Sequence, residues 1–178
     1  MLTASAAAPS SVLAPLPPVW LRRMRSPIGR IEVGGDHDAV TSLAIEGPNG
    51  LPHDHLDENT NDVLELALGE LSEYFDGDRQ TFDVPVRQRG TPFQLAVWEQ
   101  LREVPWGASV SYVDLGRATG RPSAGRAVGG AVARNPIPLI VPCHRVLASG
   151  GRITGYSPGQ GVPTKIWLLD HEAIAFGV

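Results

Sequence analysis

Residues 20–46 alternate short apolar segments with turn-forming residues, a pattern typical of β-strands. Residues 59–75 then carry apolar side chains at helical spacing, with Gly77 beyond their end, and predict a helix. Strands followed by a helix indicate a small α/β unit. A polar linker over 76–90 follows, in which only 82–86 resembles a strand. Three of the apolar segments predict an antiparallel meander: 20–25, 30–34 and 40–46.

Residues 91–134 have helical spacing with clear start signals. The run Thr91-Pro92-Phe93-Gln94 combines a threonine cap, a proline at the first helical position and a glutamine that closes a capping box. It predicts a helix to about Glu103. Ser111 is expected to cap a second helix ending near Gly120, and Ser123 a third that ends before Asn135. Two short helices around a three-residue break outline a helix-turn-helix, although similar pairs occur in proteins that bind no DNA.

The third predicted helix is unusually rich in glycine, with Gly125, Gly129 and Gly130 in one short element. Each interior glycine costs about 1 kcal/mol of helix stability relative to alanine, so some gain must offset the cost. Tight packing against another helix is one explanation. The one we favour is close approach of the backbone to another surface, such as a DNA groove, with Arg126 as the long side chain at the helix start.

Prolines at three of seven positions exclude a helix before Cys143, and 139–141 has the pattern of a buried strand. We therefore expect Cys143 at the rim of an apolar core. A last helix is predicted from 163 to about 175. Glu172 lies beside its apolar stripe (Ile166, Leu169 and Ala173) and needs a partner there. The candidates are His144, Arg145 and Lys165, and the alternative is an exposed salt bridge at the helix end.

Composition limits the classes of protein. The chain has 178 residues, 42% of them hydrophobic and 19% charged, which excludes wholesale disorder and allows one domain or two. No uncharged apolar run reaches the roughly 18 residues of a membrane span. Residues 1–18, rich in Ala, Ser and Pro and without charge, predict a flexible extension and not a signal peptide. These features are typical of a soluble cytoplasmic protein.

Charge is divided unevenly between the two halves of the chain. Residues 1–90 hold 7 basic and 14 acidic side chains, whereas 91–178 hold 8 basic and 5 acidic ones. The second half is therefore the better candidate for a polyanion partner, though an excess of this size also arises by chance. The single cysteine excludes an internal disulfide and a cysteine-based metal cage. No metal site is expected, because His37, His53 and His55 are too loosely placed among acidic residues.

A lone cysteine is most often an inert buried side chain, but the neighbours of Cys143 favour a nucleophile. In extended backbone, adjacent side chains point to opposite faces, so His144 is expected to act through a bridging water and not by direct contact. A relay from Glu172 through His144 and water to Cys143 would orient the imidazole and favour the thiolate.

The run Pro142-Cys143-His144-Arg145-Val146 resembles the active-site motif of the O6-alkylguanine-DNA alkyltransferase family. The resemblance covers about 91–172 and includes, in order, Val110-Ser111-Tyr112, 126–130, Arg134-Asn135-Pro136, Gly155-Tyr156-Ser157 and 168–172. Ser26-Pro27-Ile28-Gly29 resembles the family's opening hairpin more loosely. The resemblance implies an α/β (α+β) fold. A ribonuclease-H-like domain with its linker would span 19–90, and a mainly helical DNA-binding and alkyltransferase domain 91–178.

The resemblance also implies a DNA repair reaction without cofactor or turnover. Cys143 would take the alkyl group from guanine O6 in duplex DNA irreversibly, one group per molecule. His144 and Glu172 would form the water-bridged relay, and Asn135 would pin the turn that carries the cysteine. Tyr112 would hydrogen-bond the guanine and supply a proton to it. Activity on O4-alkylthymine and the range of alkyl groups are left open.

The resemblance further implies a flipped base in a pocket and a monomer bound in the minor groove, with cooperative binding left open. Arg126 would fill the gap left by the flipped nucleotide. Pro158 stands where many members carry glycine, so we expect a stiffer pocket lip and poorer repair of bulky groups. The DNA-contacting residues would be Arg126, Ala127, Gly129, Gly130 and Ala131. The pocket residues would be Val146, Tyr156, Ser157, Pro138 and Pro158.

Three other classes compete with this interpretation. A DNA-binding module without chemistry, as in the alkyltransferase-like proteins, would lack the cysteine that is present here. A cysteine hydrolase using Cys143 and His144 would turn over, but no oxyanion motif is evident. A redox-sensing cysteine is the third.

Overall fold

The computed structural model describes residues 18–177, and its first element is a three-stranded antiparallel sheet in the order β1-β2-β3. The strands are β1 (Trp20–Ser26), β2 (Gly29–Gly35) and β3 (Val40–Ile45). The predicted meander is therefore confirmed, with each strand within a residue or two of its expected bounds. Apart from Pro18, the predicted extension over 1–18 lies outside the described residues.

Helix α1 (Asp62–Asp76) packs against this sheet and buries Leu64, Ala67, Glu70, Leu71 and Tyr74. It begins later than the predicted 59 because the side chain of Asn61 caps it, accepting a hydrogen bond from the Leu64 N–H. Gly77 ends it in the left-handed conformation, with φ of 83°.

The linker after α1 lies along the outer edge of β3. The Val40 N–H donates to the Pro85 carbonyl, and the Arg87 N–H donates to the Val40 carbonyl, both at 2.8 Å. The strand candidate at 82–86 is reduced to a single bridge at Val86. Pro85 has no N–H to extend the pairing, which explains the difference.

The second half opens with three helices: α2 (Pro92–Arg102), α3 (Tyr112–Ala118) and α4 (Gly125–Ala133). The predicted capping box at the start of α2 and the Ser111 cap of α3 are both present. The predicted Ser123 cap of α4 is wrong. The Ala124 N–H donates to the Arg121 carbonyl, which places Ser123 inside a turn and leaves Ala124 at the cap position.

Helix α5 (Val162–His171) is shorter than predicted and buries a different face. Ala173 adopts φ of 54°, and the Ile174 N–H donates to the Leu169 carbonyl at 2.8 Å, so the helix closes in a Schellman motif at Glu172. Ala173 is exposed and Ile166 only half-buried, which corrects the predicted stripe. The buried residues of α5 are Thr164, Lys165, Leu168 and Leu169.

The two halves share one apolar core, in which Leu71 of α1, Val97 of α2 and Leu168 of α5 are fully buried. A short parallel pair of β4 (Val110–Ser111) with β5 (Val146–Leu147) joins the start of α3 to the segment after Cys143. Between residues 18 and 177, no helix is long and apolar enough to cross a membrane.

Candidate active site

Cys143 sits at the end of a tight turn, not at the end of a strand as the pattern at 139–141 predicted. Leu139 has φ of 73°, in the left-handed region, which interrupts any strand. Asn135 holds the turn from inside. Its Nδ2 donates to the Val141 carbonyl at 2.7 Å, and its Oδ1 accepts from the Ile137 N–H at 3.1 Å. The chain then enters a 3-10 turn over Cys143–Arg145.

The Cys143 thiol is almost fully buried. Burial raises its pKa above the ordinary value, and the Asn135 side chain, the Tyr156 hydroxyl and the Lys165 charge offset only part of that rise. The free protein therefore favours the thiol, whereas the residues around Cys143 predicted a favoured thiolate. The difference arises because the sequence could not reveal how completely the sulfur is removed from water.

His144 is fully buried, and its Nε2 lies 2.7 Å from Oε1 of Glu172. A carboxylate only accepts hydrogen bonds, so Nε2 carries the proton and Nδ1 presents a lone pair. Burial lowers the pKa of His144, and Glu172 only partly counters this, so the imidazole is neutral. Nδ1 is buried and makes no hydrogen bond to any described residue. A neutral imidazole with an accepting nitrogen is suited to remove a proton.

Glu172 is fully buried, so the alternative of an exposed salt bridge is wrong. Two of its three candidate partners are present: His144, and Arg145, whose Nε donates at 2.6 Å and whose Nη2 donates at 3.0 Å. Lys165 is not a partner. The Tyr74 hydroxyl donates to Oε1 at 2.8 Å, a contact the sequence did not indicate. Burial alone would raise the pKa of Glu172, but His144 and Arg145 lower it to about 2.

A cavity of about 320 Å³ opens onto Cys143. Pairing of β4 with β5 brings Tyr112, the first residue of α3, to its wall. Val146 and Pro138 are buried and do not line this cavity. Of the residues expected in the reaction or the base pocket, the cavity brings together Tyr112, Cys143, Tyr156, Ser157 and Pro158, and Gly129 of the expected DNA-binding set also lines it.

Lys165 also lines this cavity, whereas the sequence indicated it only as a candidate partner for Glu172. It is the chain's only lysine, and its Nζ donates to the Val146 carbonyl at 2.6 Å and the Gly155 carbonyl at 3.4 Å. Burial lowers its pKa to about 8. The sequence feature that could have indicated this position is a lone lysine within the apolar face of α5. Tyr156 lies beside the Cys143 thiol, and its buried hydroxyl has no hydrogen-bond partner among residues 18–177.

Helix α4 exposes Arg126 and Ala127 and half-buries Gly129 and Gly130. Ala131 faces the core, and its carbonyl accepts a hydrogen bond from Trp98 Nε1 at 2.9 Å. Its expected place on the DNA-contacting surface is therefore wrong. An added Cβ at Gly125 would meet nothing within 4 Å, and one at Gly129 only the Tyr112 ring at 3.9 Å. Packing within the chain therefore does not require these two glycines, which favours approach to an external surface.

No group of three or more histidine, cysteine, aspartate or glutamate side chains in residues 18–177 is arranged to hold a metal ion.

Two family models match the chain. Residues 21–88 match the ribonuclease-like domain of 6-O-methylguanine DNA methyltransferase, and residues 92–174 match its DNA-binding domain. The constitutive methylated-DNA–protein-cysteine methyltransferase of Bacillus subtilis is 39% identical over 155 residues, which cover 85% of this chain and 93% of that protein. The relative of the same name from Mycobacterium tuberculosis is 38% identical over 86% of this chain and 92% of that protein.

Solved structures agree with these sequence matches. Mycobacterium tuberculosis OGT in complex with DNA is 37% identical, with a TM-score of 0.78 over 87% of this chain and 93% of that one. The O6-methylguanine-DNA methyltransferase of Pyrococcus kodakaraensis is 27% identical, with a TM-score of 0.60. Sequence, sheet topology and helical second half therefore all agree, and the chain belongs to the 6-O-methylguanine DNA methyltransferase family.

Proposed function

We propose that this protein repairs DNA by moving a methyl or other alkyl group from guanine O6 to the Sγ of Cys143. The observation that carries the proposal is a buried cysteine at the wall of a cavity, next to a neutral histidine that a buried glutamate orients. The names of the relatives, methylated-DNA–protein-cysteine methyltransferases, support the same reaction. Repair would be direct, without excision of the base.

The reaction starts with the thiol proton, because the free protein favours the protonated sulfur. Nδ1 of His144 accepts that proton through a bridging water, and Glu172 stabilises the resulting imidazolium. Sγ then attacks the alkyl carbon in line with the C–O6 bond. As that bond breaks, its electron pair passes to the guanine, and the Tyr112 hydroxyl supplies a proton to the departing base. The proton held by the His144 imidazolium then returns through solvent to the Tyr112 oxygen, so that both side chains end neutral. The thioether left on Cys143 is stable, so each molecule reacts once.

The target base has to leave the duplex to reach a buried sulfur. We propose that α3 and α4 bind double-stranded DNA from the minor groove, with the exposed Arg126 filling the gap left by the flipped nucleotide. The M. tuberculosis relative, which is solved in complex with DNA, supports DNA as the partner. The protein would act as a monomer in the cytoplasm, at the nucleoid, and its binding to DNA would be weak, salt-sensitive and largely independent of sequence.

Intact-mass spectrometry tests the reaction. After incubation with duplex DNA carrying one O6-methylguanine, the protein is expected to gain a single methyl mass, saturating at one per chain, on the peptide containing Cys143. Unmodified duplex and the Cys143→Ser variant are the controls, and neither should gain mass. DNA binding without mass gain would assign the protein to the non-catalytic lesion binders. Release of product over many turnovers would assign it to the hydrolases.

Pro158 is expected to restrict the size of the transferred group. It lines the cavity, and its carbonyl accepts a hydrogen bond from the Gly161 N–H at 3.1 Å, closing a tight turn at the rim. Pro158→Gly should raise the rate on O6-benzylguanine relative to O6-methylguanine by about tenfold, the scale of steric discrimination in a pocket. The control is Pro48→Gly, an exposed proline outside the cavity. An unchanged benzyl-to-methyl ratio in Pro158→Gly would refute a narrowing role.

A further inference from the structure

The two halves of the chain meet at the carboxylate of Glu172. Tyr74, on α1 and 98 residues away in sequence, is fully buried, and its hydroxyl donates to Oε1 at 2.8 Å. The same oxygen accepts from His144 Nε2 at 2.7 Å and Arg145 Nη2 at 3.0 Å. One carboxylate oxygen is thus shared by the imidazole of the relay, a guanidinium and a phenol from the other half of the chain.

Aromatic packing fixes the Tyr74 ring in this position. Phe75, Phe82, Trp106 and His171 surround it, with ring centroids 5.1–5.5 Å away. His171 directly precedes Glu172, and its Nε2 donates to the Tyr74 carbonyl at 2.8 Å. The backbone and the side chain of Tyr74 are therefore both bonded to the end of α5, through His171 and Glu172 respectively.

Tyr74 has the chemical state that this contact requires. Burial raises the pKa of its phenol well above the ordinary value, and the charge of Glu172 raises it further. The hydroxyl therefore stays protonated and acts only as a donor toward the carboxylate. Because Oε1 is the atom that binds His144, a donor placed on it restrains both the position of the oxygen and its charge.

We propose that Tyr74 is a positioning residue for the proton relay: from α1 it holds the Glu172 carboxylate, and through it the His144 imidazole, in place to receive the Cys143 proton. The inference rests on the proposed alkyl transfer. It assigns to the ribonuclease-like half of the chain a direct part in the chemistry of the other half.

The Tyr74→Phe variant tests this role, because it keeps the ring packing and removes only the donor. Transfer of methyl from O6-methylguanine duplex should slow by about tenfold, the scale of one hydrogen bond to a charged group. Affinity for the duplex should stay within about twofold of the wild type, because Tyr74 is fully buried and presents no surface to DNA.

The pH profile separates this role from a purely structural one. The charged groups that act on the pKa of His144 are Glu172 and Lys165 from α5 and Arg145 beside it, and the titratable Cys143 directly precedes it in the chain. With one donor fewer on Glu172, the imidazolium form of His144 is more stable and the His144 pKa rises. The low-pH limb of the transfer rate should therefore move to higher pH in Tyr74→Phe.

Phe82→Leu is the matched control, since it loosens the packing around Tyr74 and keeps the hydroxyl. It should lower stability and leave the pH limb where it is in the wild type. The inference is overturned if Tyr74→Phe keeps the wild-type limb, or if Phe82→Leu moves it equally.

Ring ¹⁵N shifts of His144 and the proton spectrum of the wild type test the same contact without a variant. They should place a proton on Nε2 and show a slowly exchanging Tyr74 hydroxyl. A rapidly exchanging hydroxyl would overturn the inference. Because these signals do not depend on alkyl transfer, they remain informative if the wild type transfers no methyl group, a result that would refute the proposed function alone.

Discussion

Replacing Glu172 with alanine is expected to lower the free energy of unfolding by about 3–5 kcal/mol and to abolish alkyl transfer. The carboxylate is fully buried and is the sole acidic partner of Arg145 among the described residues. Its removal leaves a buried guanidinium with only the Val104 carbonyl, at 2.6 Å, as acceptor. The same change leaves the His144 imidazole without the group that orients it. Urea unfolding and a single-turnover transfer assay measure the two effects.

The stability that Glu172 contributes should depend on pH, and the direction of that dependence can be measured. The pKa of Glu172 is about 2 in the folded protein against an ordinary 4.5, so the unfolded chain binds more protons between these values. The stabilisation by Glu172 is therefore fully present above about pH 4.5 and is lost as the pH falls toward 2. The difference in stability between the wild type and Glu172→Ala should shrink over that range.

Glu103→Ala is the control for the loss of a glutamate, because Glu103 is exposed and forms no salt bridge within residues 18–177. It should change stability by no more than about 0.5 kcal/mol. A Glu172→Ala protein as stable as Glu103→Ala would contradict the structural role assigned to the buried carboxylate.

The sequence predicted helix starts well where a side chain caps the helix by hydrogen bonding to backbone groups a few residues away. The capping box at Thr91 and the Ser111 cap fix helix starts through contacts three residues away, which a sequence displays directly. The errors in helix bounds occur where no residue type in the sequence marks the backbone conformation. Ala173 takes a left-handed conformation normally left to glycine, and the turn before α4 moves the cap from Ser123 to Ala124.

The candidate site was predictable where its residues are neighbours in one motif, as with Cys143 and His144. The long-range contacts were not: Tyr74 reaches Glu172, and Gln88 of the linker donates to Asn135 Oδ1 at 3.1 Å. The sequence around Tyr74 or Gln88 does not indicate these contacts, because each contact depends on how the two halves of the chain pack. The raised pKa of Cys143 was missed for the same reason, since burial is a property of the folded core.

Asn135→Ala is expected to slow methyl transfer by about a hundredfold while the protein still folds. Its side chain bonds the Val141 carbonyl and the Ile137 N–H, and without it the turn that sets the position of Cys143 loses its internal support. A displacement of the nucleophile by about 1 Å is enough for such a loss. The unpaired backbone groups should cost about 1–3 kcal/mol of stability.

The reactivity of the Cys143 thiol provides a second test of the role of Asn135. The Asn135 side chain lowers the pKa of the thiol against the dominant effect of burial, so in Asn135→Ala the thiol pKa should rise further and alkylation by iodoacetamide should slow. Gln88→Ala is the matched control, because it removes one partner of Asn135 and leaves the turn intact. It should keep the rate within about threefold of the wild type. Equal rates in Asn135→Ala and Gln88→Ala would mean that other contacts, such as the prolines around Cys143, hold the turn, and that Asn135 is dispensable for placing the sulfur.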